Sequence, residues 1–221
     1  MNYLYSMPHK IFKSLILFSL IISCNKALPK ENKIEEIVPT TTIKNNITVN
    51  SLKAYIDFFG KNPKYGSDGF DFPVGKPDAQ GYYNAQPFLK NNHLGDDWNA
   101  TTGGNSDLGQ PIYAISNGII SEVQDYKGGW GNVVRLVHQL PNGELRESLY
   151  AHCEEVFVEK NDAIKKGQKI ATIGNVNGLY YAHLHLEIRW KIDSDIGKGY
   201  SNDTTGYLNP TEFIKQFRKV K

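Results

Sequence analysis

Two histidines one residue apart, His183 and His185, lie in the stretch His183-Leu184-His185-Leu186-Glu187-Ile188-Arg189-Trp190, where polar and apolar residues alternate without a break. Alternation at period two is the pattern of a β-strand with one face against a core, because successive side chains point to opposite sides. It predicts Leu184, Leu186, Ile188 and Trp190 on the core face and His183, His185, Glu187 and Arg189 on the other. Two imidazoles side by side can hold a metal ion, but a His-x-His pair alone is more often plain polar surface.

Two further segments lift the pair above that reading: His93-Leu94-Gly95-Asp96-Asp97, after a loop-rich stretch, and Tyr150-Ala151-His152, at the end of a strand-like run. A catalytic zinc ion takes three protein ligands and keeps its fourth position for water. His93, one of the two aspartates and one histidine of the pair meet that count, which leaves His152 and the other histidine for proton transfer. Spacing does not choose between Asp96 and Asp97. Glu187, on the histidine face, reads as an acceptor that orients a ligand or as a structural carboxylate. His138 reads as structural, and Asn105 and Asp107 as residues that shape a Gly-rich loop. Tyr150, Tyr180 and Tyr181 are candidates to line a peptide groove. Cys153, next to His152, reads as a small half-buried apolar residue rather than a reactive thiol.

The elements that must position these groups are mostly strands. Leu52, Tyr55, Ile56 and Phe59 recur at helical spacing and predict a short helix from Ser51 to Gly60. Gly, Pro, Asp and Asn then punctuate the chain up to Gly109 and indicate loops, so that the segment 51–92 is placed to cover the site in a resting state. Strand-type composition follows at 111–115, 118–123, 132–140, 145–151, 156–159, 169–173 and 183–190, with a hairpin turn at Asn142-Gly143. Asn209-Pro210-Thr211-Glu212 supplies an N-cap, an N1 proline and a capping acid for a helix to about Arg218. The expectation is a mainly β fold: a single domain of antiparallel sheets forming an open groove, of sandwich or hybrid type, with short flanking helices.

At 221 residues with 40% apolar composition, the chain has room for one such core plus extensions. Its formal charge of +2 includes Lys10 and Lys13 of a leader expected to be removed, and no basic stripe with interleaved aromatics argues for nucleic acid. That leader continues with an apolar run too short to span a bilayer comfortably, ending in Ile21-Ile22-Ser23-Cys24. The ending resembles a bacterial lipoprotein signal, so residues 1–23 are expected to be cleaved and Cys24 acylated, an ordinary secretory signal being the alternative. Residues 24–50, rich in Lys, Glu, Asn and Thr, read as the anchor and a flexible linker, and 51–221 as the domain, with its core at about 70–191. With Cys24 acylated, Cys153 has no disulfide partner.

HLGDD, YAH and HLH, in that order, resemble the lysostaphin and LytM-type family of zinc metalloendopeptidases, whose signature is His-x-x-x-Asp followed much later by His-x-His. The runs from Gly109 to Ala114, Gly128 to Val133 and Lys165 to Ile170 look like the family's intervening strands and turns, so the likeness covers about 70–191. The resemblance implies that His93, Asp97 and His185 hold one Zn2+, the four-residue step selecting Asp97, and that His183 and His152 flank the attacking water. It implies a peptidase of bacterial peptidoglycan peptides, lipid-anchored in the cell envelope and facing the wall, with a regulatory protein partner possible. Cys153 departs from the apolar residue usual after Tyr-x-His. A non-catalytic module that binds the wall or activates other hydrolases is the alternative, although such domains typically lack one or more of the five residues present here. A biotin- or lipoate-carrier reading of the KKGQ turn fails, because the only methionines, Met1 and Met7, lie far from any hairpin lysine.

Overall fold

β-Branched and aromatic residues from Tyr82 onward build ten strands among the described residues, every pairing of which is antiparallel. The computed structural model describes residues 41–219, so the leader and Cys24 lie outside the described residues. The strands are β1 (Tyr82–Gln86), β2 (Asp96–Ala100), β3 (Pro111–Tyr113), β4 (Gly118–Asp125), β5 (Asn132–Gln139), β6 (Leu145–Val156), β7 (Ala163–Ile164), β8 (Lys169–Ile173), β9 (Leu184–Arg189) and β10 (Tyr207–Leu208). They run in the order β1-β2-β9-β6-β5-β4-β7, with β10 beside β9 and β3 beside β8. Helices α1 (Thr41–Lys61) and α2 (Pro210–Phe217) flank the sheet. The expected mainly β fold with small helices is the fold observed.

The strand that carries the site behaves as its alternation predicts over most of its length. Leu184, Leu186 and Ile188 join Trp98, Tyr150, Ile173 and Phe213 in the main core. Trp190 does not: β9 stops at Arg189, the chain turns, and the indole is 49% exposed. The opposite face is not open to solvent either, since His185, Glu187 and Arg189 are all buried there. Burial of that size makes register costly to change, because a one-residue slip would exchange the faces. Leu186→Ala would cost about 2–5 kcal/mol.

β6 is the hinge of the architecture. One edge pairs with β5, while the other pairs with β9 as far as Ala151 and with β8 from Cys153 onward. The change of partner falls at His152, whose φ of 61° marks the break in the ladder. Such irregularities re-aim a side chain, here at the fork where β8 and β9 part.

Helix α1 begins at Thr41, ahead of the Ser51 start expected, because no Gly or Pro interrupts 41–59. Phe59 packs with Ile119, Val137 and Ile192, joined by Leu52, Tyr55 and Phe58, whereas Ile56 is 53% exposed rather than part of the apolar face. In α2 the Asn209 side chain accepts from the Glu212 amide at 3.1 Å, as its capping motif predicts. None of the helices among the described residues is long and apolar enough to cross a membrane.

Candidate metal centre and groove

The site follows from the register of two strands. In the β2·β9 pair Asp97 lies opposite His185, and the next strand places Ala151 on the other side of His185. His93, just before β2, is held by an isolated antiparallel bridge to Tyr200. His93 Nε2 is 3.0 Å from His185 Nδ1 and 3.3 Å from Asp97 Oδ1, and His185 Nδ1 is 2.9 Å from the same oxygen. Among the described residues these three form a group able to hold a metal ion.

The outer nitrogens decide what the inner ones present. His93 Nδ1 is 3.1 Å from the Gln86 carbonyl oxygen and His185 Nε2 is 3.1 Å from Glu187 Oε1. Both partners only accept, so each outer nitrogen carries a proton, and a neutral ring turns the lone pair of its inner nitrogen toward a bound cation. Three potential ligand atoms therefore crowd one point, an arrangement held together by positive charge, whether a proton on His185 or a metal ion. Burial opposes a charged ring, but Asp97 and Glu187 outweigh it and push His185 up to about 9. The same hydrogen bonds, from His185 and His93, overcome the burial of Asp97 and hold its carboxyl well below the usual carboxylate range.

His183 and His152 stand beside this cluster with the same construction. His183 Nδ1 donates to the Tyr181 carbonyl at 2.8 Å, and its Nε2 lies 3.9 Å from Asp97 Oδ1. His152 Nδ1 donates to the Trp130 carbonyl at 3.2 Å, and its ring centroid is 4.6 Å from that of His183. Burial, then the neighbouring His185 and His183, hold His152 down at about 3, so it is neutral with Nε2 as its lone-pair nitrogen. Two asparagines fix the approach to His183: Asn105 Oδ1 accepts from the Ala182 amide at 2.8 Å and Asn99 Nδ2 donates to the Ala182 carbonyl at 3.1 Å.

Close packing behind the cluster demands glycine at two places. A Cβ on Gly95 would stand 2.5 Å from the Leu186 carbonyl oxygen and 2.8 Å from His185 Cε1; one on Gly174 would stand 2.4 Å from the His152 carbonyl oxygen. In front of it opens a groove of about 480 Å3, walled by Trp130, Tyr180, Lys198 and Tyr200. A second hollow, bounded by Asn99, Asn105, Leu179 and Tyr181, continues past His183.

All five residues singled out for the site come together. Asp96, the other aspartate of the pair, points away and accepts from the Phe88 amide and from the Thr211 amide and hydroxyl. Tyr180 and Tyr181 border the hollows as expected, but Tyr150 is fully buried with its hydroxyl on the Ile115 amide. The idea of a cover made from 51–92 fails, since α1 packs behind the sheet and Gln86 alone of that segment lines the groove. Trp130, Lys198 and Tyr200 were not anticipated. Trp130 had a signal, a lone aromatic among the turn glycines Gly128, Gly129 and Gly131; Lys198 and Tyr200 had none.

An antiparallel domain with a His-Asp-His cluster and two further histidines in an open groove defines a candidate mononuclear metal centre. The chain belongs to peptidase family M23, which it matches over residues 92–198. It is 39% identical over 83 residues to "Lipoprotein NlpD" of Yersinia enterocolitica, covering 38% of this chain and 80% of that protein. It is 35% identical over 98 residues to "Murein hydrolase activator NlpD" of Escherichia coli (strain K12), covering 42% of this chain but only 24% of that protein. Among solved structures it is similar to a zinc-containing peptidase from Vibrio cholerae, with 26% identity, a TM-score of 0.45, and coverage of 55% of this chain and 37% of that one.

Proposed function

We propose that this protein is a zinc-dependent endopeptidase that hydrolyses peptide bonds in the cross-links or stem peptides of bacterial peptidoglycan. The observation that carries the reading is the convergence of His93 Nε2, Asp97 Oδ1 and His185 Nδ1, three potential ligand atoms within 2.9–3.3 Å of one another, beside His183 and His152. Two imidazoles and one carboxylate, each ring pinned by an acceptor at its far nitrogen and open toward a groove, fit a catalytic zinc ion, one per chain. Zinc bound there would supply a Lewis acid that polarises a carbonyl and makes water acidic enough to yield hydroxide near pH 7.

The chain's own residues handle the protons. His183 Nε2, with its lone pair toward the cluster, takes a proton from the attacking water, whose oxygen bonds to the peptide carbonyl carbon. As the C–N bond breaks, that proton passes to the departing amine. His152 contributes in a narrower way than a simple oxyanion donor: with Nδ1–H committed to Trp130, it must gain a proton on Nε2 before it can donate to the oxyanion. Trp130, Tyr180 and Tyr200 offer flat surfaces on which a peptide can lie. Residues 1–23 as a cleaved signal and a lipid on Cys24 would hold the domain at a membrane of the cell envelope, facing the wall, in keeping with the lipoprotein name of one relative. Uptake of labelled fatty acid that persists in Cys24→Ala would remove the anchor from this reading.

The name of the other relative favours a second reading, in which the groove binds the wall or a partner and activates another hydrolase. One experiment separates the two. The protein and its His183→Ala variant are incubated with purified peptidoglycan and zinc, with and without a murein hydrolase, and the fragments are identified by mass spectrometry. New peptide ends from the wild type alone support the endopeptidase. No release by either, with one zinc bound in each and the added hydrolase stimulated, supports the activator.

A further inference from the structure

The metal cluster and the wall of the groove meet in one buried ion pair. Glu187 and Arg189 share a face of β9, and neither exposes any surface. Glu187 Oε1 accepts from His185 Nε2 at 3.1 Å, while its Oε2 accepts from Arg189 Nε at 2.7 Å and Nη2 at 2.5 Å. The rest of the guanidinium is spent on the loop after β9: Nη1 donates to the Asp195 carbonyl at 3.0 Å and Ser194 Oγ at 3.3 Å, and Nη2 to the Ile196 carbonyl at 2.8 Å. The next residues, Gly197, Lys198, Gly199 and Tyr200, line the groove. Beyond them the wall is fastened again, through the bridge between Tyr200 and His93.

A pair needed only for folding would satisfy itself. This one places its remaining hydrogen bonds on the ring of His185 and on three acceptors of the loop that leads into the groove wall. Only a guanidinium can do so, because its planar fork serves a carboxylate on one side and carbonyls on the other. We propose that Glu187 and Arg189 are positioning residues that couple occupancy of the metal centre to the order of the wall at 194–200. An ion that fixes the His185 ring fixes the Glu187 carboxylate, which sets the Arg189 fork and with it the wall. The coupling is reciprocal, so a peptide that orders the wall also tightens zinc. The inference rests on reading His93, Asp97 and His185 as a zinc site.

The test uses the full chain stripped of metal. Zinc affinity is measured by competition with a chromophoric chelator, and hydrogen exchange of 194–200 is followed with and without zinc. In the wild type, zinc is expected to slow exchange in the wall. Glu187→Gln is expected to weaken zinc about 10–100-fold, the usual effect of losing such a support, and to abolish the response of the wall. Arg189→Lys should keep zinc within a few-fold of wild type yet lose the wall response. Arg135→Lys should loosen the wall with and without zinc but leave zinc affinity unchanged, because Arg135 reaches the Ser194 carbonyl at 2.9 Å and pairs with Glu147 rather than Glu187. Should Glu187→Gln fail to fold around an unpaired arginine, the double variant Glu187→Gln/Arg189→Gln removes both charges and carries the same expectation. A folded Glu187→Gln protein with wild-type zinc affinity overturns the proposal, as does a wild-type wall whose exchange ignores zinc. A wild-type protein that binds no zinc overturns the metal reading itself, and this inference with it.

Discussion

His185 and His138 are both buried histidines in the same sheet, 3% and 1% exposed, and they differ in what surrounds them. His138 Nδ1 donates to the Asn117 carbonyl at 2.8 Å and its Nε2 lies 2.7 Å from the Ser148 hydroxyl, so each nitrogen of a neutral ring has a matching partner. His185 has Asp97 at one nitrogen and Glu187 at the other, with His93 pressing its own lone pair on the first. One ring is in balance with its surroundings, and burial holds it down at about 4. The other sits in a surplus of acceptors that asks for a cation. Burial alone therefore says nothing about function; the sign of the unmet demand around the buried group does.

The sharpest way to break this contrast is to remove each ring. His185→Ala is expected to abolish zinc binding, measured by metal analysis after dialysis, whereas His138→Ala should keep one zinc per chain while losing stability. Loss of the metal in both would mean that the cluster merely reports on folding. Next in size, His183→Ala should lower peptide release by about 10²–10⁴-fold with zinc still bound, since it removes a general base and not a ligand. Zinc lost from that variant would exchange the roles assigned to His183 and His185.

The contrast also has a pH signature at His138. Its ordinary value of 6.5 in the unfolded chain falls to about 4 on folding, with burial the cause. The unfolded state then binds more protons between those values, so stability is complete above pH 6.5 and declines as the pH falls toward 4, by about 3 kcal/mol. His138→Gln keeps a donor for Asn117 and an acceptor for Ser148 but cannot titrate. Urea unfolding from pH 7 to pH 4.5 should show a shallower decline in that variant, and equal slopes in the two proteins would refute the assignment.

How much of this was legible in the sequence divides along the same line between local pattern and tertiary demand. The strand at 183–190 was legible because its alternation is local, and so was the capped helix after Asn209. Strand β2 was not: Asp96, Asp97 and Asn99 are poor strand formers, and the segment is extended because β1 and β9 pair with it on both sides. Spacing could not separate Asp96 from Asp97; the pleat does, sending one to the start of α2 and the other to the cluster. The burial of Glu187 and Arg189 depends on a loop folding back over the outer face of β9, and no alternation within the strand can announce that.

A smaller change probes how tightly the cluster is packed. Gly95→Ala puts a methyl group against backbone at Leu186 and against the His185 ring, neither of which can retreat freely. It is expected to cost about 1–3 kcal/mol in thermal or urea unfolding, as overpacking usually does. Zinc should also weaken, because the ring under pressure is a proposed ligand. A variant as stable and as tight for zinc as the wild type would show that the sheet yields there more easily than the packing implies.

The smallest effect is expected at Cys153, where the chain sets a sulfur directly beside a site histidine and yet keeps the two apart. The break in the ladder at His152 turns the imidazole toward the groove and leaves the next side chain in the main core, 5% exposed, with Sγ 3.6 Å from the Tyr150 carbonyl oxygen. Burial pushes this thiol up to about 12, so at neutral pH it offers no thiolate to a metal or an electrophile. Cys153→Ala should therefore keep one zinc per chain and unaltered peptide release, at a cost of about 1 kcal/mol for the small void it leaves. In the native wild type the thiol should resist iodoacetamide and react only on unfolding. Rapid labelling of the native protein, or zinc lost on substitution, would place Cys153 on the groove side of β6 and undo the separation of faces on which the contrast between the two buried histidines depends.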